Sequence, residues 1–498
     1  MLSRRKISVV IVLAMMALLF MQYGCSHKQP AKQLEENVNT PEANAPEANA
    51  PGKQASNCTT PEEIAACLRN GEIERVYQQF DAQMQELMSL EALKASMAQL
   101  YGILGEFVSY QRTGQAELQG FKVYDVVDKY ERQTLVMRIS FDKDHKINGL
   151  RFMFGEENAF PTPGADGEAA KIDSIKPNDG PVSTDKYSET EVQVQAAGGP
   201  ALDAFLTLPK GVEKPPVVIL VHGSGPQDKN ETILGAAPFK DIAYGLAERG
   251  IASLRYTKRT AVPNWKPADF VRFGVKEETL DDANAAIALL RARTDINPEK
   301  IFVLGHSLGG SIVPVIAKEN PTLSGVIAMA GTPRDILEVQ IEQNVRVLEE
   351  IKVTASPEEL KEAEEQIKLL QETIDSTVAL SKELEQVPDE KLIFGVPAYY
   401  YKSMRKYQDK SYYTELRMPI LLLQGENDMQ VYADKDFAAY KEILKDNPKM
   451  VSHLYPQTNH LMAESTNTKV STIFEDYTPT KHVRTEVIDD IAAFIKAN

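Results

Sequence analysis

The sequence predicts an α/β fold: a doubly wound, mostly parallel sheet with an inserted helical cap, preceded by a small α+β domain. Three observations lead there. From about residue 186 short apolar runs alternate with helical patterns, the arrangement of parallel strands joined by crossover helices. One run, Ile301-Phe302-Val303-Leu304, ends in Gly305-His306-Ser307-Leu308-Gly309 and passes into the helical spacing of Ile312, Val313, Val315 and Ile316. A long, charged, helical stretch at 334–417 then interrupts the alternation between two strands.

The chain opens on a targeting pattern. Arg4, Arg5 and Lys6 precede an uninterrupted apolar run at 9–21, and Gly24-Cys25 follows. A basic start before an apolar run too short for a membrane span is an export signal. It resembles a bacterial lipoprotein signal, with Gln22 and Tyr23 where that family carries an aliphatic and a small residue. The resemblance implies lipidation of Cys25 and a body tethered outside the cytoplasmic membrane; an uncleaved anchor would put it on the same side. Cys58 and Cys67 are then candidates for a disulfide, with two buried thiols as the alternative. No His accompanies them locally, so a zinc cluster and cysteine catalysis find no support. The net charge of −16 argues against a nucleic-acid partner, because phosphate contacts need a basic surface.

Residues 26–57 form a linker, rich in Pro, Ala and Asn, with Pro-Glu-Ala-Asn-Ala repeated at Pro41 and Pro46; such composition builds no core. The α+β domain spans 58–155. Thr60-Pro61-Glu62-Glu63 is a helix start with a capping box. Apolar spacing predicts a helix running on through Ile73, Val76, Phe80, Met84 and Met88, and a second at 90–104. The period then changes to two, giving strands at 122–127, 134–141 and 147–154. The ending Phe141-Asp142 … Ile147-Asn148-Gly149-Leu150 resembles an uncharacterised module found ahead of exported bacterial hydrolases, similar to the nuclear-transport-factor-like fold. No convergent polar set stands out in it, and a docking or spacer role is expected. A second linker follows at 156–185.

The domain at 186–498 carries the chemistry. Strands are expected at 189–196, 202–208, 216–222, 251–256, 324–330, 419–423 and 451–455, and in the apolar run at 301–304 before the Gly305 turn. Helices are expected at 239–248 and 280–293. In the cap, Ser356-Pro357-Glu358-Glu359 starts a helix presenting Leu360, Ala363, Ile367, Leu370, Ile374 and Leu384 on one face. That near-heptad spacing permits a coiled-coil contact, though packing within one chain is the commoner outcome. Tyr399, Tyr400, Tyr401, Tyr407, Tyr412 and Tyr413 either line a substrate path or pack the cap.

Ser307 sits at the tip of a strand-to-helix reversal. Gly305 and Gly309 let the backbone close around it and push the hydroxyl out above the strand ends. A serine hydroxyl needs a base, and the base needs an orienting acid. After the strand at 419–423 come Glu426 and Asp428. After the strand at 451–455 comes His460, with His482 its one rival. His222-Gly223-Ser224-Gly225 follows the strand at 216–222, where glycines let backbone amides face a developing charge.

In this order these features resemble the α/β-hydrolase superfamily, and most closely serine esterases of the dienelactone-hydrolase and serine-aminopeptidase-like group. The resemblance implies Ser307 as nucleophile, Asp428 rather than Glu426 as acid, His460 as base, and the Ser224 and Leu308 amides as oxyanion donors. It implies an exported enzyme acting on a small-molecule ester, with no metal or organic cofactor. A peptidase with the same triad and an inactive tethered binding protein are the competing expectations. Arg255-Tyr256-Thr257-Lys258-Arg259 departs from the Asp-x-Arg-Gly that relatives often carry there.

Overall fold

The computed structural model describes residues 58–498 apart from 82–83, 86–89, 91–92, 95–96, 98–99, 102–103, 119–120, 132–133, 155–169, 172–180, 263–264, 266, 363 and 478–479. The expected signal segment with Cys25, the linker at 26–57 and most of the linker at 156–185 lie outside the described residues. The chain divides after residue 178 into two compact units.

In the N-terminal unit the capping box forms. Thr60 Oγ1 accepts the Glu63 amide at 3.2 Å and Glu63 Oε2 accepts the Thr60 amide at 3.1 Å, starting α1 (Pro61–Arg69). The helix does not run on as expected. Gly71 takes a left-handed φ of 78°, and only a short α2 (Ile73–Tyr77) follows. Phe80 then bridges to Ile147 instead of continuing a helical face. Of the second expected helix, Leu90, Leu93, Met97, Leu100 and Leu104 are helical.

Four antiparallel strands form the sheet: β1 (Phe107–Leu118), β2 (Phe121–Tyr130), β3 (Thr134–Phe141) and β4 (Ile147–Phe154). A short β5 (Ala170–Lys171), inside the expected linker, pairs in parallel with β1. Ile64 and Leu68 of α1 pack on Val126, Met137 and Ile139 of the sheet. Cys58 is joined to Cys67 by a disulfide. This unit also holds a polar set that the sequence did not reveal. Asp128 is fully buried and paired with Arg69, and its Oδ1 and the hydroxyls of Tyr101 and Tyr130 lack partners among the described residues.

The C-terminal unit is built on an eight-stranded sheet. It begins with the hairpin β6 (Tyr187–Gln195) and β7 (Ala201–Pro209), followed by β8 (Val217–Val221). Next come α3 (Pro238–Glu248), β9 (Ala252–Tyr256), α4 (Asp281–Arg291) and β10 (Ile301–His306). After these lie α5 (Leu308–Glu319) and β11 (Gly325–Met329). The cap contains α6 (Ile336–Thr354), α7 (Pro357–Glu362), α8 (Glu364–Lys382), the two-residue strands β12 (Leu392–Ile393) and β13 (Val396–Pro397), α9 (Ala398–Tyr407) and α10 (Ser411–Thr414). The chain closes with β14 (Ile420–Gly425), α11 (Ala438–Ile443), β15 (Met450–Tyr455), α12 (Ile473–Tyr477) and α13 (Thr485–Ala497).

The sheet order is β15-β14-β11-β10-β8-β9-β7-β6. The six strands from β15 to β9 are parallel, and β7 and β6 are antiparallel. Val217, Ile219 and Val221 face a layer containing α4 and α5, while Val218 and Leu220 face one containing α3 and α13. Every residue of β8 is therefore buried, which is why its sequence shows no alternation. Because the central strands are parallel, the loops after β8, β10, β14 and β15 leave the same edge of the sheet.

The cap corrects one expectation and narrows another. Its long helix ends at Lys382, so Leu384 lies on a following 3₁₀ turn and not on the face of Leu370 and Ile374. The tyrosines divide. Tyr400, Tyr401, Tyr407 and Tyr413 are buried in the core, where Tyr401 OH bonds Gln340 and Tyr413 OH bonds the Ser311 carbonyl on α5. They pack the cap rather than line an open path.

Candidate active site

Ser307 joins β10 to α5 with φ 53° and ψ −113°. That left-handed conformation is strained for a residue with a side chain. Its neighbours hold it there: the Ser307 amide donates to Met329 O at 2.9 Å. The flanking glycines are obligatory for a concrete reason. A Cβ on Gly305 would lie 2.2 Å from the Gly309 carbonyl, and one on Gly309 would lie 2.3 Å from Val221 O. The turn thus packs backbone on backbone. The Ser307 side chain makes no capping bond to α5.

His460 and Asp428 come together across the loops after β15 and β14. His460 Nδ1 is 2.8 Å from Asp428 Oδ2, with both residues buried. Asp428 is held from every side: Gln424 Nε2 donates to Oδ2 at 2.8 Å, and the Gln430 and Val431 amides donate to Oδ1 at 2.8 and 2.9 Å. A carboxylate accepting these bonds assigns the proton to His460 Nδ1 and leaves Nε2 as the basic nitrogen. Asn459 fixes the loop, its Oδ1 accepting the amides of Leu461 and Ala463. The rivals lie elsewhere: Glu426 is exposed, and His482 pairs with Asp241 on the surface.

The loop after β8 lies against the serine. A Cβ on Gly223 would sit 3.2 Å from Ser307 Cβ. The Gly223 amide is taken by Glu231 Oε1 at 2.8 Å. The amides of Ser224 and Leu308 have no hydrogen-bond partner among the described residues; Leu308 opens α5, whose first-turn amides have no intrahelical acceptor.

Several residues beneath the site escaped the sequence reading. Glu231 is fully buried, and its Oε2 lies 2.9 Å from His306 Nδ1. His306 Nε2 lies 3.0 Å from the His460 carbonyl oxygen. Burial acts to lower the pKa of His306, but the Glu231 carboxylate beside it turns the balance upward. Burial likewise works to raise Glu231, and His306 carries it below its ordinary value. The end of β9 and the loop after it are also resolved into partners. Arg255, Lys258 and Arg259 are buried and paired with Glu189, Glu278 and Asp282 respectively. Lys258 Nζ also donates to Gly223 O at 2.7 Å, while Tyr400 of the cap donates to Glu278 at 2.7 Å. These acids sit in polar stretches that read as surface; only partners distant in sequence bury them.

The glycine-flanked Ser307 turn, a His–Asp pair and two amides without partners among the described residues lie at one edge of a sheet with the α/β-hydrolase order. Residues 217–466 match the family described as serine aminopeptidase, S33, and the chain belongs to that family. Residues 62–150 match a protein family of unknown function, DUF3887. The chain is 30% identical over 406 residues to esterase EstD of Thermotoga maritima, covering 81% of this chain and 85% of that protein. It is 38% identical over 60 residues to the α/β-hydrolase domain-containing protein WAV2 of Arabidopsis thaliana, 12% of this chain and 20% of that one. Among solved structures, Est1E from Butyrivibrio proteoclasticus aligns with TM-score 0.40 and 17% identity, over 62% of this chain and 99% of that one.

Proposed function

We propose that this chain is an exported serine hydrolase that cleaves carboxylic esters, with Ser307, His460 and Asp428 as its triad. The observation that carries the reading is the buried His460–Asp428 pair on the same sheet edge as the Ser307 turn. The likeness to a named esterase along most of both chains supports an ester as substrate.

Ser307 Oγ attacks the ester carbonyl carbon as His460 Nε2 takes its proton. The tetrahedral oxyanion receives the amides of Ser224 and Leu308. His460 returns the proton to the leaving alkoxide, which departs as alcohol and leaves an acyl-serine. A water then gives a proton to His460 and attacks the acyl carbon. The acid leaves and Ser307 regains its proton. Every charge that develops is met by groups of this chain. Export rests on the N-terminal sequence pattern, and a Cys58–Cys67 disulfide suits an oxidising compartment.

The test is hydrolysis of p-nitrophenyl esters of graded acyl length by the full chain beside Ser307→Ala. Turnover lost in the variant is the expected result. Turnover that survives in Ser307→Ala, or no turnover and no fluorophosphonate labelling of Ser307, defeats the reading. Lipidation of Cys25 is tested by palmitate incorporation, lost in Cys25→Ala.

A further inference from the structure

Glu231 stands out twice. It is a non-glycine residue with φ 53°, and it is a carboxylate with no exposed surface. Left-handed backbone and a buried acid each carry a cost. The chain holds both at one position, nine residues beyond His222 and directly below the serine.

The carboxylate is shared between two loops. Oε1 accepts the Gly223 amide at 2.8 Å, and Oε2 meets His306 Nδ1 at 2.9 Å. His306 then spans to a third loop through Nε2 and His460 O at 3.0 Å. Its ring lies 4.7 Å, centre to centre, from that of His460. One continuous path thus runs from the oxyanion loop, through the residue preceding Ser307, to the backbone of the base.

The protons on this path are dictated by its acceptors. His306 faces a carboxylate at one nitrogen and a carbonyl oxygen at the other, so Nε2 must donate and one further proton must lie between Nδ1 and Oε2. Without that proton a lone pair would face a carboxylate in a buried site. With it, every atom of the bridge is satisfied. The bond to Glu231 also removes the Gly223 amide from the set that could meet an oxyanion, which leaves Ser224 as the donor from this loop.

We propose that Glu231 and His306 are positioning residues that set the Ser224 amide and His460 relative to Ser307. Neither reaches the substrate. Their function is distance: the oxyanion donor and the base sit on separate loops, and misplacement by about 1 Å can cost roughly 100-fold in rate. The bridge replaces two independent loop positions with one.

The inference rests on the reading of Ser307 as nucleophile, so Ser307→Ala is measured beside the test variants. If Ser307→Ala keeps wild-type turnover, the functional reading fails whatever Glu231 does. With that reading intact, two substitutions separate reach from charge. Glu231→Gln keeps the reach. Its carbonyl can accept the Gly223 amide, and its amide can donate to a neutral His306 whose Nε2–H still meets His460 O. Glu231→Asp keeps the charge but is one carbon short of spanning both partners.

Steady-state kinetics on a p-nitrophenyl ester, per folded protein by circular dichroism, read the difference. For Glu231→Asp we expect kcat to fall about 100-fold with KM within roughly threefold, and for Glu231→Gln recovery to within roughly tenfold of wild type. Asp matching or exceeding Gln would overturn the proposal, as would a loss confined to KM or to thermal stability.

Discussion

His460 Nδ1 lies 2.8 Å from Asp428 Oδ2, and three further donors already occupy that carboxylate. The arrangement leaves the imidazole one way to turn. Asp428→Asn tests it. The new amide can still accept the Gln430 and Val431 amides at its oxygen, but its NH₂ then faces His460 and Gln424. That nitrogen forces the proton of His460 onto Nε2, the atom that accepts from Ser307 in the proposed mechanism. We expect kcat to fall by about 10⁴ with folding retained, as for the wrong tautomer in other triads. A loss under tenfold would show that Asp428 does not orient the base.

Gly305→Ala addresses the turn itself. The added carbon would fall 2.2 Å from the Gly309 carbonyl, against backbone that cannot swing aside. Overpacking costs about 1–3 kcal/mol and occasionally more, and rigid backbone on both sides puts this site at the upper end. We expect a large drop in the urea midpoint, or insoluble protein. Wild-type stability with full activity would mean that the turn has more room than these contacts allow.

The strands were legible because burial on both faces leaves an unbroken apolar run, as in Val217 to Val221. The turn from Gly305 to Gly309 was legible because its glycines answer a local steric demand. Order along the chain pointed to His460 and to Glu426 or Asp428, and the family resemblance chose Asp428 between the two. What did not show were groups whose role depends on remote partners. Glu231 lies in Asp228-Lys229-Asn230-Glu231-Thr232, which reads as exposed; its buried carboxylate is met by the Gly223 amide and by His306, 75 residues on. Lys258 and Glu278 were hidden in the same way. The first helix failed for the opposite reason: the apolar period continued past Gly71 while the backbone did not.

Two histidines near the site shift in opposite directions, and stability follows with opposite signs. Burial pushes His222 down to about 4, with Glu231, Lys258 and Asp228 as its charged neighbours. Its Nε2 meets Asp228 O at 2.9 Å and its Nδ1 has no partner among the described residues, as fits a neutral ring. The unfolded chain takes up a proton below about pH 6.5, whereas the folded chain does not until about pH 4. His222 therefore costs stability as pH falls through that window, by about 3 kcal/mol in all. His306 is raised, so its contribution is whole below about pH 6.5 and is lost as pH climbs through its folded value. Urea titrations at stepped pH should show His222→Gln losing less stability than wild type between pH 6.5 and 4. Parallel curves would remove His222 as the cause.

Lys258 joins the loop after β8 to the cap. Its Nζ bonds Gly223 O and Glu278, and Tyr400 holds the other oxygen of the same carboxylate. Lys258→Met keeps most of the volume and strips the charge. Glu278 is then a buried carboxylate with Tyr400 as its remaining donor among these groups, and Gly223 O loses its donor. Breaking one side of such a pair costs about 3–5 kcal/mol. We expect a urea midpoint lowered to match, and kcat lowered as well, since Gly223 adjoins the Ser224 amide. Removing both charges in Lys258→Met/Glu278→Gln should recover much of the stability, because the stranded carboxylate is gone. Recovery of stability without recovery of kcat would assign Lys258 to holding the loop; failure of the double variant to recover stability would show that the cost lies in lost packing and not in charge.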